Sequence, residues 1–325
     1  MSATPRMPPC CAARPATPPW TARPALKAAI IAKFERENGL RFSPNEIIVS
    51  NGAKQVIYNA FMATLAPGDE VILPTPCWVS YGDMTLLAEG VPVTVPCPQN
   101  HGFKLRPGGF GGRHHAAHAM AGAERARQSG RRRLSPSRAG GAGRRAAQHP
   151  QVGVMTDDIY EHIIFDGLEF HSFAAVAPDL RDRTLTINGV SKAYAMTGWR
   201  IGYAGGPATL IRAMAKMQAQ SSGCPGSVSQ AAAVAALSGP QDYIADRAAA
   251  FQYRRDTIVA LLETIPGLTC FRPEGAFYLY IGCAGLLGRT RPDGRVIKTD
   301  EDVALHILEH GRVTVVQGAA YGLSP

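Results

Sequence analysis

A lone lysine, Lys192, sits in the run NGVSKAYAMTGWRIGYAGG (188–206), after a strand-like stretch and before a Gly-Trp-Arg turn and a second strand. A lysine amine attacks a carbonyl carbon once burial or a neighbouring cation has lowered its pKa, and Arg200 is a cation eight residues away. A guanidinium fork of this kind can also meet two anion oxygens at once. The run SNGAKQ (50–55) lies between a predicted strand and a predicted helix. Unpaired N–H groups and the helix dipole favour an anion there, although the same run by itself reads as an ordinary N-cap. Trp78, in PTPCWVSY (74–81), is either a core residue or a flat face for stacking. TDDIYEH (156–162) closes another strand with Asp157 and Tyr160, while Asp158, one residue on, faces the other way. HILEH (306–310) fits an H-x-x-E-H zinc pattern, but no third ligand is evident, so it is taken as a surface-helix coincidence and no metal is expected. His162 and His171 are taken as surface or core histidines, and the cysteines as packing residues.

These side chains need a frame that alternates strands with helices. Residues 24–39 carry apolar residues at helical spacing and end at Gly39; 46–50 is a strand, 53–65 a helix and 70–74 a strand, which makes a βαβ unit. Strand-like runs recur at 91–95, 152–156, 184–188 and 200–204, followed by a helix at 208–220. The alternation predicts an α/β fold with a mostly parallel sheet flanked by helices. Beyond it, a long helix at 242–265, a strand at 277–281, a helix at 301–310 and a strand at 313–317 predict a smaller C-terminal α+β domain.

The 325 residues are enough for one large domain or two ordinary ones, and no apolar run approaches a membrane span. Seven cysteines without a CxxC pair, and a start without a secretory pattern, predict reduced thiols and a cytoplasmic protein with no membrane partner. The net charge of +9 is concentrated in two stretches. Residues 108–149 hold nine arginines against Glu124 alone, and 1–23 hold Arg6, Arg14 and Arg23 without an acid, which leaves a mildly acidic remainder. Segment 108–149 lacks Val, Ile, Thr, Tyr, Trp, Lys and Asp, a composition that predicts disorder and no buried strand. Its residues are also what a GC-rich gene yields out of frame. Two compensating frame shifts are one reading and an Arg-rich linker the other. Its basic residues lack the interleaved aromatics of a nucleic-acid stacking platform, so no nucleic-acid partner is expected.

The 188–206 run resembles the cofactor-lysine signature of class I/II pyridoxal-phosphate-dependent aminotransferases, in the bacterial aspartate-aminotransferase-like branch. That resemblance implies fold type I and pyridoxal 5'-phosphate as cofactor. It also implies transfer of an amino group between an amino acid, with aspartate-like donors among the candidates, and a 2-oxo acid, in a homodimer. Lys192 is then both the covalent anchor and the acid/base. Gly52, Ala53 and Lys54 form the phosphate cradle, with Arg200 and the weaker candidate Ser191 beside it. Trp78 stacks on the pyridine ring, Asp157 keeps the ring nitrogen protonated, and Tyr160 donates to the phenolic O3'. PEGAFYLY (273–280) matches a small-domain element and receives no catalytic role.

The resemblance covers about 24–107 and 150–325. It divides the chain into a non-family segment 1–23, a large cofactor-binding domain 24–255 and a truncated small domain 256–325. Three family features are not found: an Asn-Pro-Thr-Gly turn between Trp78 and Asp157, an N-terminal arm with a tyrosine for the partner's phosphate, and the arginine that grips the substrate carboxylate. Impaired turnover and poor folding are therefore expected. Alternatives on the same residues are a pyridoxal-phosphate lyase or a catalytically silent remnant.

Overall fold

The computed structural model describes residues 21–105, 118–119, 149 and 151–324. Seven strands form one sheet in the order β1-β7-β6-β5-β4-β2-β3. They are β1 Ile47–Asn51, β2 Glu70–Thr75, β3 Val91–Pro96, β4 His118–Ala119, β5 Gly153–Asp157, β6 Thr184–Gly189 and β7 Ile201–Gly205. Pairing is parallel from β3 through β6, whereas β7 runs antiparallel to both β6 and β1.

β1, β6 and β7 are buried on both faces, as a sheet covered by helices requires. Side-chain alternation distributes them between two cores. Ile48, Ile187 and Ala204 pack with α2 (Ala53–Thr64) and with Met214 of the helix α5 (Ala208–Ser221). Ile47, Val49, Ile201 and Tyr203 face the other way, toward α1 (Pro24–Lys33) and α6 (Ser227–Ser238). Proline occupies the first turn of α1, where no N–H is lost, and a π-turn, Phe34–Asn38, ends at the left-handed Gly39. The helices α3 (Ser80–Leu87) and α4 (Phe173–Val176) complete this part.

The long helix α7 (Asp242–Glu263) leads into a two-stranded antiparallel sheet, β8 Thr269–Cys270 and β9 Ile281–Gly282. A small cluster of Cys283, Ile297 and Val303 packs under α8 (Asp300–Gly311). Thr299 and Asp302 cap α8 reciprocally, satisfying two N-terminal donors.

Four sequence expectations change. The run 277–281 is a strand only at its end, in β9, because Phe277 and Tyr278 turn toward the sheet edge instead of pairing. Residues 313–317 form no strand: Val313, Val315 and Val316 are exposed and have no neighbouring strand among the described residues. The alanine-rich helix α6 was not anticipated. Within 108–149, expected to supply no buried strand, His118–Ala119 form a two-residue strand that pairs with both β2 and β5. Apart from these two and His149, that segment and its expected disorder lie outside the described residues, as does nearly all of 1–23.

Candidate active site

Four strands, β1, β2, β5 and β6, point the same way, and ligands of such sheets bind at the carboxyl ends of the strands. That edge collects most of the residues singled out in the sequence. Gly52 follows β1, Trp78 follows β2, Asp157 ends β5 with Tyr160 just beyond, and Ser191 and Lys192 follow β6.

Asp157 is buried, 8% exposed, and the Tyr81 hydroxyl donates to its Oδ2 at 2.9 Å. The other oxygen, Oδ1, is buried with no hydrogen-bond partner. Burial pushes this carboxyl above the usual carboxylate range, against the opposing pull of the Tyr81 hydroxyl, a backbone N–H at Ile159 and the charge of Lys192. A buried acceptor with nothing bound to it is costly, and a donor cation aimed at Oδ1 would relieve that cost. Asp158 points elsewhere, as the strand period requires. Its Oδ2 accepts from the Ser172 hydroxyl at 2.7 Å, and burial pushes its carboxyl up to about 8.

The Lys192 ammonium lies over two aromatic faces, 5.5 Å from the Tyr160 ring centre and 5.2 Å from that of Phe277. Arg247 on α7 holds the loop by donating to the Ala193 carbonyl at 3.0 Å. Tyr160 is buried, and its hydroxyl shares an O–H···O bond of 2.9 Å with Tyr278.

At the end of β1, Gly52 is the N-cap of α2, with φ of +92°, no side-chain cap and no acidic residue in the first turn. A Cβ at Gly52 would collide with Nη2 of Arg200, so only glycine lets the guanidinium lie against this turn. Arg200, itself left-handed at φ of +54°, donates to the carbonyls of Thr197 at 2.9 Å and Asn51 at 3.3 Å. Gly202 serves the same approach, since a Cβ there would meet the backbone of Ala53. Lys54 lies with Nζ 5.8 Å from the centre of the half-buried Trp78 ring, and Ser191 is buried. An open helix N-terminus beside a guanidinium is a ready anion site, and Asp157 Oδ1 is a ready partner for a protonated ring nitrogen.

Against this geometry, the profile of the family described as "Aminotransferase class I and II" matches residues 12–110 and 144–325. The chain belongs to the class I and II aminotransferases. The match starts inside 1–23, the stretch read as lying outside the family, and its gap falls within 108–149. An aspartate aminotransferase of Rhizobium meliloti (strain 1021) is 51% identical over 312 residues, spanning 93% of this chain and 74% of the relative. An aspartate/prephenate aminotransferase of Cereibacter sphaeroides is 50% identical over 93% of this chain and 76% of its own length. The solved aspartate aminotransferase from Rhizobium meliloti superposes with a TM-score of 0.90 at 47% identity, covering 95% of this chain and 78% of that one. The aminotransferase therefore has the type I fold, uses pyridoxal 5'-phosphate and moves an amino group between an amino acid and a 2-oxo acid. Among its described residues, no helix is long and apolar enough to cross a membrane.

Several residues around the site had escaped the sequence reading. Tyr81 lies one helical turn after Trp78 and looks like a core aromatic; only its 76-residue reach to Asp157 gives it meaning. Lys33 is fully buried, pairs with Glu161 and donates to Asn38 Oδ1 at 2.8 Å, while Asn188 donates to Glu161 Oε1 at 2.7 Å. This network ties α1 to the loop that carries Tyr160 and to the end of β6. It also absorbs His162, whose Nε2 is 2.9 Å from Glu37 Oε2. Glu37, Glu161 and His162 are close enough to hold a cation, and the Lys33 ammonium supplies that charge. On α8 the rings of His306 and His310 are 4.4 Å apart, and His310 Nδ1 bonds the His306 carbonyl. His171 stands 3.8 Å from Glu169, and no disulfide joins Cys77, Cys97, Cys224, Cys270 or Cys283 among the described residues.

Proposed function

We propose that Lys192 carries the cofactor and moves the proton at the substrate α-carbon, in an aminotransferase whose donor is aspartate or a similar dicarboxylic amino acid. Bound pyridoxal phosphate supplies an electron sink for the charge left when that proton departs. Asp157 holds a proton at the ring nitrogen, which keeps the sink effective. Tyr160 donates to the phenolic oxygen, and the indole of Trp78 fixes the ring plane. Gly52, Ala53 and Lys54 bind the phosphate through the first turn of α2, with Arg200 supplying a paired-donor fork and Ser191 a hydroxyl.

The buried Oδ1 of Asp157 carries this reading, because it has no protein hydrogen-bond partner and stands at the end of β5, on the edge of the sheet that also carries Gly52, Trp78 and Lys192, where a ring N–H would satisfy it. The aspartate-like donor is supported by the names of relatives about half identical to this chain. We further assign residues 24–255 to a large cofactor-binding domain and 256–325 to a small one, and take the active unit to be a cytoplasmic homodimer. The test is spectroscopic. Protein mixed with pyridoxal phosphate should develop a visible band that amino donors abolish. Borohydride reduction should then fix the cofactor mass on the peptide containing Lys192. A Lys192→Ala protein that keeps both signals overturns the assignment.

A further inference from the structure

The segment 273–280, matched in the sequence without a role, reaches the site through its backbone. Phe165 N–H donates to the Glu274 carbonyl at 3.0 Å, Ala276 N–H donates to Ile163 at 2.8 Å, and Arg255 holds the Pro273 carbonyl at 2.8 Å. These bonds lay 273–276 along the loop that follows Tyr160, and the next two side chains fall on that tyrosine. Phe277 meets its ring edge-to-face at 5.2 Å between centres, and Tyr278 does so at 5.8 Å. The two phenol oxygens are 2.9 Å apart.

We propose that Tyr278 is a positioning residue that orients the hydroxyl proton of Tyr160 toward the cofactor, which rests on the assignment of Tyr160 to the phenolic oxygen. A phenol is one donor and one acceptor. Between the phenols Tyr160 donates to Tyr278 in the structure; once Tyr160 turns its only proton to the cofactor, the bond reverses and Tyr278 is the donor. Donation from Tyr278 polarises Tyr160 and strengthens its own outgoing bond, as in any chain of hydroxyls in a buried site. Tyr160 is 8% exposed and Tyr278 45%, so the outer residue is open to solvent while the inner one is buried. The relay thus runs from solvent to cofactor. Its outer member comes from the C-terminal part of the chain, so the state of the cofactor oxygen depends on where that part sits.

The measurement is the pH midpoint of the visible band of the lysine-bound cofactor, read by absorbance with no substrate present. A donor to the phenolic oxygen stabilises its anion and lowers this midpoint. Tyr160→Phe should raise it. Tyr278→Phe, which keeps the ring and its packing, should raise it less, by about half a pH unit, the scale on which one neutral hydrogen bond moves a titration. The double variant Tyr160→Phe/Tyr278→Phe should titrate like Tyr160→Phe alone, because the outer phenol acts only through the inner one. A midpoint unmoved by Tyr278→Phe while Tyr160→Phe moves it overturns the relay, and so do additive shifts in the double variant. An unmoved midpoint in Tyr160→Phe instead overturns the assignment of Tyr160, and the relay with it.

Discussion

The Tyr81 hydroxyl donates to Oδ2 of Asp157 at 2.9 Å, both residues are buried, and the second oxygen of the same carboxylate has no partner. One oxygen is therefore fixed by the protein, and the other is the one that the proposed function assigns to the ring nitrogen. Burial pushes the Asp157 carboxyl above the usual carboxylate range, and the Tyr81 bond opposes that push together with the Ile159 N–H and the charge of Lys192. Tyr81→Phe removes that influence, so the carboxyl pKa rises further and a smaller fraction is ionised at a given pH. The acid limb of the kcat–pH profile should move to higher pH. At neutral pH, kcat should fall about tenfold, as expected from the loss of one hydrogen bond to a charged group. An acid limb that stays in place argues against the pairing.

Gly52→Ala combines two penalties, a left-handed backbone that alanine resists and a collision with the Arg200 guanidinium. Strain of this kind costs about 1–3 kcal/mol. Equilibrium titration should show pyridoxal phosphate bound about 10- to 100-fold more weakly, with inorganic phosphate competing less well than in the parent protein.

Asp158 retains a proton in the folded protein up to about pH 8, whereas the unfolded chain releases it near pH 3.8. Between those values the folded state binds the extra proton, so this residue makes stability fall as pH rises, by at most about 1.4 kcal/mol per pH unit. Asp158→Asn, which still accepts from Ser172, should flatten the curve of unfolding free energy between pH 5 and 8. Denaturant melts at several pH values test this, and a variant as pH-sensitive as the parent contradicts it.

Arg255 grips Asp166 with two bonds of 2.6 and 2.7 Å, lies over the Phe165 ring at 4.8 Å and supports Pro273. Arg255→Lys cannot reproduce the fork. Asp166 is 40% exposed and screened by water, so the cost should be about 1–2 kcal/mol in chemical denaturation. The same variant should loosen the 273–280 segment that carries Phe277 and Tyr278.

The sheet was readable from sequence wherever burial on both faces produced uninterrupted apolar runs, as at 47–49 and 201–204. The helix at 227–238 was not, because its alanines give no apolar stripe to count. The runs 277–281 and 313–317 have strand composition, yet a strand exists only by pairing. Phe277 and Tyr278 are spent on the site, while Val313, Val315 and Val316 are exposed. Local motifs single out Lys192, Asp157, Tyr160 and Arg200 as candidates. Tyr81, Lys33 and Tyr278 stayed hidden because their partners lie 76, 128 and 118 residues away, beyond any spacing a motif can encode.

Among the described residues, β7 is the one strand that opposes both of its neighbours. Because it runs backwards, its first residue, Ile201, shares a rung with Asn51, the last residue of β1, and Arg200 reaches the Asn51 carbonyl, next to Gly52, across 149 residues of chain. Had that strand kept the common polarity, the guanidinium would stand at the far rim of the sheet. Engineering this scaffold therefore leaves little room here. The connection at 190–199 is pinned by Arg247 on Ala193 and Arg200 on Thr197, and one residue added within 201–205 would exchange inward and outward side chains and slide the guanidinium off its seat.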